Sequence, residues 1–207
     1  MAAKSADVNN TKTATRSTKE HLIDVGLDLM RRHGYGATGL QEILKAADVP
    51  KGSFYHHFGS KEEFAAAVLE RYVALASKHA EATLLHGKQA PLKRLRRYFE
   101  ELVAAAGQQS PIPGCLLGSF SLEVAGSNPA LQTDISKSFT TWQAGVAIAL
   151  REAVEKGDLP KSMKPDMLAG FVLNSWEGAL LRSQADKSDE PLRVFLHFVF
   201  QELLAKA

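Results

Sequence analysis

The chain has 207 residues, 45% of them hydrophobic and 23% charged, with a formal net charge of +2. That composition belongs to a folded globular protein with a real core, built as one large domain or as a small domain joined to a larger one. The single cysteine, Cys115, excludes an internal disulfide framework and a multi-cysteine metal site.

Residues 1–16 are rich in Ala, Ser, Thr, Asn and Lys with almost nothing to bury, and read as a flexible arm without the apolar stretch of a signal peptide. The longest uncharged stretch, Leu102 to Leu122, carries Gln108, Gln109, Pro111 and Pro113, which a membrane span would not tolerate. A cytoplasmic protein without membrane contact is expected. Through Lys61 there are nine Lys or Arg against six Asp or Glu, and four of the seven histidines. This modest excess favours an anionic partner at the N-terminal end.

Ser17-Thr18-Lys19-Glu20 is a capping box that predicts the start of a first helix, with Leu22, Val25, Gly26 and Leu29 as its buried stripe and Gly34 and Gly36 at its end. Thr38 is expected to cap a short second helix with Gln41 as box partner, and Leu40, Ile43, Leu44 and Ala47 give its inner face. Asp48-Val49 makes a tight turn, and Pro50 suits the first position of a third helix reaching His57. Ser60 to Glu63 is a second capping box, opening a long helix to about His86.

Longer helices follow: Pro91 to about Ala106, Cys115 to about Ala125, Asn128-Pro129 to Gly157, Asp166 to Ala185, and Glu190 to Ala205. No β alternation appears, so the fold class is all-α with about nine helices. The last two helices are apolar nearly all round, from Met167, Phe171 and Leu181 to Val194, Phe198 and Leu203. Such helices must be covered on every side. They are either central core helices or, as preferred here, the seam of a homodimer in which two helices from each copy form a four-helix bundle.

Two short helices joined by a tight turn and braced by a first helix form a helix-turn-helix over Thr38 to Lys61. Lys51-Gly52-Ser53 gives the leading end of the third helix a charge, a missing side chain and a small hydroxyl, which suits close approach to a DNA groove. Tyr55 and His56 extend from the same helix, while Phe54 and Phe58 read as core anchors and His57 as a structural or surface histidine.

Gly36-Ala37-Thr38 through Gln41-Glu42-Ile43, Ala46 to Val49, Lys51 to Phe58 and Ser60 to Phe64 resemble the N-terminal domain of the TetR family of regulators over about Thr18 to Tyr72. Family members usually have Gly at the place of Asp48 and Ser or Thr at the place of Pro50; both substitutes suit a turn. The resemblance implies a flexible arm (1–16), a DNA-binding domain (17–63) and a helical effector-binding and dimerisation domain (64–207). It implies a ligand-responsive regulator, more commonly a repressor than an activator, that holds a palindromic operator in double-stranded DNA as a dimer and releases it to a small-molecule inducer. Thr38 and Lys61 fall where helix N-termini hold phosphates. Lys51, Gly52, Ser53, Tyr55 and His56 fall at groove-facing positions, with Lys51 and Ser53 as candidates for base reading.

For the effector, Phe99, Trp142 and Trp176, with Asn174 or Glu177 nearby, are candidate lining residues, and ordinary core aromatics are the plain alternative. Gly114-Cys115-Leu116-Leu117 followed by Ser121 to Val124 resembles a TetR subgroup of reductase and detoxification repressors in which a cysteine at this place answers electrophiles. A cysteine in the first turn of a helix is expected to have its thiolate favoured by the helix dipole, although buried cysteine is usually inert. An enzyme is the rival reading: His79, Glu81 and His86 suggest a metal site, but two histidines seven apart are too distant for one ion and no third ligand or catalytic loop is present. No catalytic residue, metal or cofactor is expected.

Overall fold

The structure, a computed structural model, describes residues 17–86, 88–124 and 126–205; the N-terminal arm lies outside the described residues. Among these the chain forms nine α-helices and no strand. Helix α1 (Thr18–Ala37) opens on the expected capping box: the Glu20 N–H donates to Ser17 Oγ at 3.3 Å and the Ser17 N–H to Glu20 Oε2 at 3.1 Å. Its regular course breaks at Gly34, whose φ of +84° is the left-handed conformation that glycine adopts without strain.

That break changes the role of Thr38. Rather than capping the next helix, Thr38 is buried and donates its hydroxyl to the Gly34 carbonyl at 2.6 Å. Helix α2 (Leu40–Ala47) therefore starts from Gly39 with no side-chain cap, and the box with Gln41 does not form. Asp48 closes α2 with φ +52°, so the turn does need the conformation that glycine supplies most easily. Pro50 stands one place ahead of its expected position, as the N-cap of α3 (Lys51–His57). Helix α4 (Lys61–Ala80) is capped by Ser60, which accepts from the Glu63 N–H, while the Glu63 carboxylate takes the Gly59 N–H at 2.8 Å in place of the Ser60 N–H of the expected box; the helix continues through a π-helical turn, Glu81–Leu85.

The second half comprises α5 (Pro91–Gly107), α6 (Leu116–Glu123), α7 (Pro129–Lys156), α8 (Pro165–Asp186) and α9 (Glu190–His197), the last extended by π-helical Phe198–Leu203. Helix α6 begins one residue later than expected, with Cys115 as its N-cap. Asn128 caps α7 as expected, and left-handed Gly157 ends it.

Helices α1 to α3 and the first half of α4 enclose an aromatic wedge. Phe54 lies 5.3 Å from Phe58 and 5.2 Å from Phe64 between ring centres, and all three rings are buried. Burying each contributes about 1.5–3 kcal/mol, enough to fix a helix as short as α3. Gly26 lets α4 approach α1, since a Cβ there would stand 2.3 Å from Phe64 Cζ.

A second core gathers Phe99, Trp176 and Phe195 from α5, α8 and α9, with centroids 5.1 to 5.5 Å apart. Buried Arg94 is satisfied by the Leu84 and Gln89 carbonyls and by Glu152 at 2.8 Å, which pins the end of the π turn to α5 and α7. Helix α4 serves both cores, with Phe64 and Val68 in the first and Leu84, within its π turn, in the second. Helix α1 likewise packs on both α4 and α6.

Candidate DNA interface and effector cavity

Helix α3 presents its leading end to solvent because the Phe54 and Phe58 anchors fix its other face. Lys51, Gly52, Tyr55 and His56 are exposed, and Ser53 is half-buried. A Cβ on Gly52 would meet nothing, so the chain surface there is as slim as it can be made. Lys51 Nζ lies 5.7 Å from the centre of the Tyr55 ring, which gathers the charge and the phenol on one side of the helix. The His57 ring packs edge-on at 6.3 Å from Phe58, a structural position.

The two residues expected to hold phosphates at helix N-termini both make side-chain contacts within the protein, Thr38 fully buried and Lys61 half-buried. The Thr38 hydroxyl is spent on Gly34, as above. The Lys61 ammonium donates to the Tyr35 carbonyl at 2.7 Å and sits 4.2 Å over the Tyr35 ring. Burial lowers its pKa, with the Glu62 and Glu123 carboxylates acting in the opposite sense. Both residues brace the junction behind α3 with their side chains.

A cavity of about 460 Å3 lies among α1, α4, α5, α7 and α8 and the N-terminal end of α6. Tyr72, Tyr98, Cys115, Leu117, Trp142 and Trp176 all border it. Of the sensor residues expected from sequence, it therefore brings together Cys115, Trp142 and Trp176. Phe99 is instead wholly buried in the second core, and Asn174 is exposed on the outer face of α8. Glu177 stands behind Cys115, its Oε2 2.8 Å from where a Cβ on Gly118 would be, and Gly118 leaves it that room. Among the described residues, one Glu177 oxygen is buried without a hydrogen-bond partner, and the buried indole N–H of Trp142 faces the Tyr98 hydroxyl.

The helix dipole does not activate Cys115. Burial pushes the thiol up to about 12, the Glu177 carboxylate adds to the rise, and the Tyr72 hydroxyl and the Gly118 N–H oppose it. The Tyr72 hydroxyl lies 3.5 Å from Sγ. Burial likewise raises Glu177, and the Cys115 contact works against that. Desolvation outweighs a dipole effect of at most about 2 kcal/mol because the whole thiol is enclosed.

Sequence reasoning missed Tyr72 and Tyr98. The available signal was a tyrosine rather than a phenylalanine on a buried helix face, where the hydroxyl must find a polar neighbour. His79 and His86 do not converge: His79 faces Glu101 at 3.6 Å and stacks on Tyr98, while His86 faces Glu81 at 3.4 Å.

A slim helix exposed at the edge of a small helical head, joined to a larger helical body with an apolar cavity, is the arrangement of a helix-turn-helix regulator. Residues 22–68 match the family model for bacterial regulatory proteins of the tetR family, and residues 91–199 match the tetracyclin repressor-like C-terminal domain. The chain belongs to the TetR family. It is 35% identical over 191 residues to the HTH-type transcriptional repressor DhaR of Mycobacterium sp. (strain GP1), covering 92% of this chain and 94% of the relative. It is 34% identical to the HTH-type transcriptional repressor NemR of Escherichia coli (strain K12), covering 87% and 91%. The reduced form of E. coli NemR superposes with a TM-score of 0.78, at 35% identity and 88% and 94% coverage. A regulatory protein TetR from Rhodobacter sphaeroides superposes at 0.83, with 34% identity and 88% and 96% coverage.

Proposed function

We propose that this regulator is a repressor that binds a two-fold operator as a homodimer, through residues 17–63 of each copy, and lets go when a small molecule enters the cavity of residues 64–207. The observation that carries the reading is the exposed Lys51–Tyr55 edge of α3 on its buried phenylalanine wedge. Lys51 and Ser53 read bases, and Tyr55 and His56 contact the backbone. The names of DhaR and NemR as repressors favour repression over activation. DNA as partner also puts the working protein in the cytoplasm.

The dimer reading rests on α8 and α9. Met167, Phe171 and Leu181 of α8 are 76%, 57% and 62% exposed, and Phe198 beyond α9 is 60% exposed. Met167, Phe171, Asn174, Gly178 and Leu181 step by four or three along one side of α8, so in this reading Asn174 belongs to the seam and not to the cavity. A second copy covers this face and makes the four-helix bundle.

The cavity walls favour a ligand with an apolar body and a polar group able to meet the Tyr98 hydroxyl and Trp142 N–H pair. With its thiol held protonated at neutral pH, Cys115 serves as part of the wall, and non-covalent occupancy is the preferred mode of release. The test is to sequence the genomic fragments retained by the purified full-length protein. A palindrome with half-sites about one helical turn (~34 Å) or somewhat more apart is expected, and binding should fall steeply as salt rises. Retention without a shared two-fold sequence, or binding indifferent to salt, overturns the reading.

A further inference from the structure

We propose that Glu123, at the last turn of α6, is the latch that ties the cavity wall to the DNA-binding head. The inference rests on the regulator reading above and adds a residue through which the two halves communicate. The Glu123 carboxylate accepts the Tyr35 N–H on Oε1 at 3.2 Å and the Gly36 N–H on Oε2 at 2.6 Å. Two successive backbone N–H groups turned to one side form a concavity that takes an anion, and here the anion is a side chain 87 residues further along the chain.

The seat is shaped for it. A Cβ on Gly34 would stand 2.4 Å from Oε1 and displace the carboxylate, and one on Gly36 would crowd Oε2 at 3.1 Å. The left-handed Gly34 aims the two amides outward. A second clasp grips the same loop from the other side. Lys61, at the start of α4, holds the Tyr35 carbonyl, and the Tyr35 hydroxyl donates to Glu62 at 3.1 Å. Phe120, one turn before Glu123 on α6, meets the Tyr35 ring edge-on at 5.9 Å.

The mechanical consequence follows from the length of α6. Its N-cap, Cys115, borders the cavity, and its C-terminal residue, Glu123, holds the α1–α2 loop. Eight helical residues make a stiff rod of about 12 Å, too short to bend. A ligand that moves the Cys115 end therefore moves the Glu123 end, and with it the loop from which α2 departs. The rod works equally in reverse: seating the head on DNA biases the cavity, as coupling between two sites requires.

The two tryptophans of the chain, Trp142 and Trp176, both border the cavity and report on it by fluorescence. The experiment titrates the duplex recovered by selection into full-length wild type, Glu123→Ala and Glu123→Gln, and reads operator binding and tryptophan emission together. In the wild type, emission shifts as the operator saturates. In Glu123→Ala the duplex still binds but the shift is lost, and Glu123→Gln, with one acceptor left, keeps part of it. Exchange of the Tyr35 and Gly36 amides, followed by hydrogen–deuterium exchange without DNA, accelerates in both variants. A wild type that binds DNA with unchanged emission, a Glu123→Ala protein with the full shift, or unaltered amide exchange each overturns the latch. A wild type that binds no duplex overturns the operator reading itself, so the two failures are told apart.

Discussion

Cys115 is the sole cysteine, so the rate at which the chain is alkylated reports one site. Thiolates, not thiols, attack alkylating reagents. Near pH 8 a thiol with its pKa pushed to about 12 is ionised in about one molecule in ten thousand, whereas at the ordinary value of 9.0 it is ionised in about one in ten. The native protein should therefore react with iodoacetamide about a thousandfold more slowly than the same chain in denaturant, a difference of about 4 kcal/mol at ~1.4 kcal/mol per tenfold. Restricted access through the cavity slows it further, so the pH profile is more diagnostic than the rate. Mass spectrometry of labelled protein between about pH 7 and 11 should show the rate climbing tenfold per pH unit, without levelling near 9.

Two substitutions separate the causes. Glu177→Gln removes a negative charge that raises the thiol, so the profile moves to lower pH. Tyr72→Phe removes the hydroxyl that favours the thiolate, so it moves higher. A native profile that levels at or below pH 9, or a Glu177→Gln profile moving upward, refutes the claim that burial and Glu177 hold the thiol protonated. It would also restore direct alkylation as the route of release.

The same shift makes stability depend on alkali. A thiol whose pKa is raised on folding contributes stability that is whole below about pH 9 and lost as the pH climbs toward 12; by pH 11 about 2–3 kcal/mol should be gone from Cys115 alone, measured by denaturant titration against Cys115→Ser. Burial of Tyr72 and Tyr98 acts in the same direction, so the variant should retain some of the dependence. Lys51→Ala should cost about 1–3 kcal/mol of operator affinity and relax discrimination at one base position of each half-site, with no change in melting temperature; an equal loss on operator and random duplex refutes base reading by Lys51. Gly26→Ala drives a Cβ to 2.3 Å from Phe64 Cζ, a ring confined by Phe54 and Phe58, and should cost about 1–3 kcal/mol in thermal or chemical unfolding. Phe171→Glu should raise the dimer dissociation constant at least about a hundredfold in sedimentation velocity, because a two-fold interface counts the loss of an aromatic of about 1.5–3 kcal/mol twice.

What could be read from the sequence, and what could not, divides along one physical line. Ser17 with Glu20, Ser60 with Glu63, Asn128 and Gly157 each act within a few residues of themselves, and each stands in the structure where its local chemistry puts it. The exposed edge of α3 was legible for the same reason: its shape comes from consecutive residues and from two phenylalanines on the opposite face. Thr38 misled because its local cue, a hydroxyl before a helix, competes with a carbonyl made available only by the left-handed turn at Gly34. Cys115 left two readings open, a reactive thiolate and a buried inert thiol. Its helical position is local and favours the thiolate, while its burial against Tyr72 and Glu177 is assembled from α4 and α8 and wins.

The division has a functional meaning. A DNA-reading edge must keep its shape whether or not the rest of the protein moves, so short-range determinants suit it. A cavity that is to control that edge must instead be made of parts able to shift against one another, drawn from several helices. Tyr72, Trp142 and Trp176 come from three helices, and the Glu123 carboxylate is where a fourth, α6, reaches the backbone of the head. Long-range assembly hid these residues from a reading of the sequence, and the same assembly is what allows a ligand in the cavity to change the head.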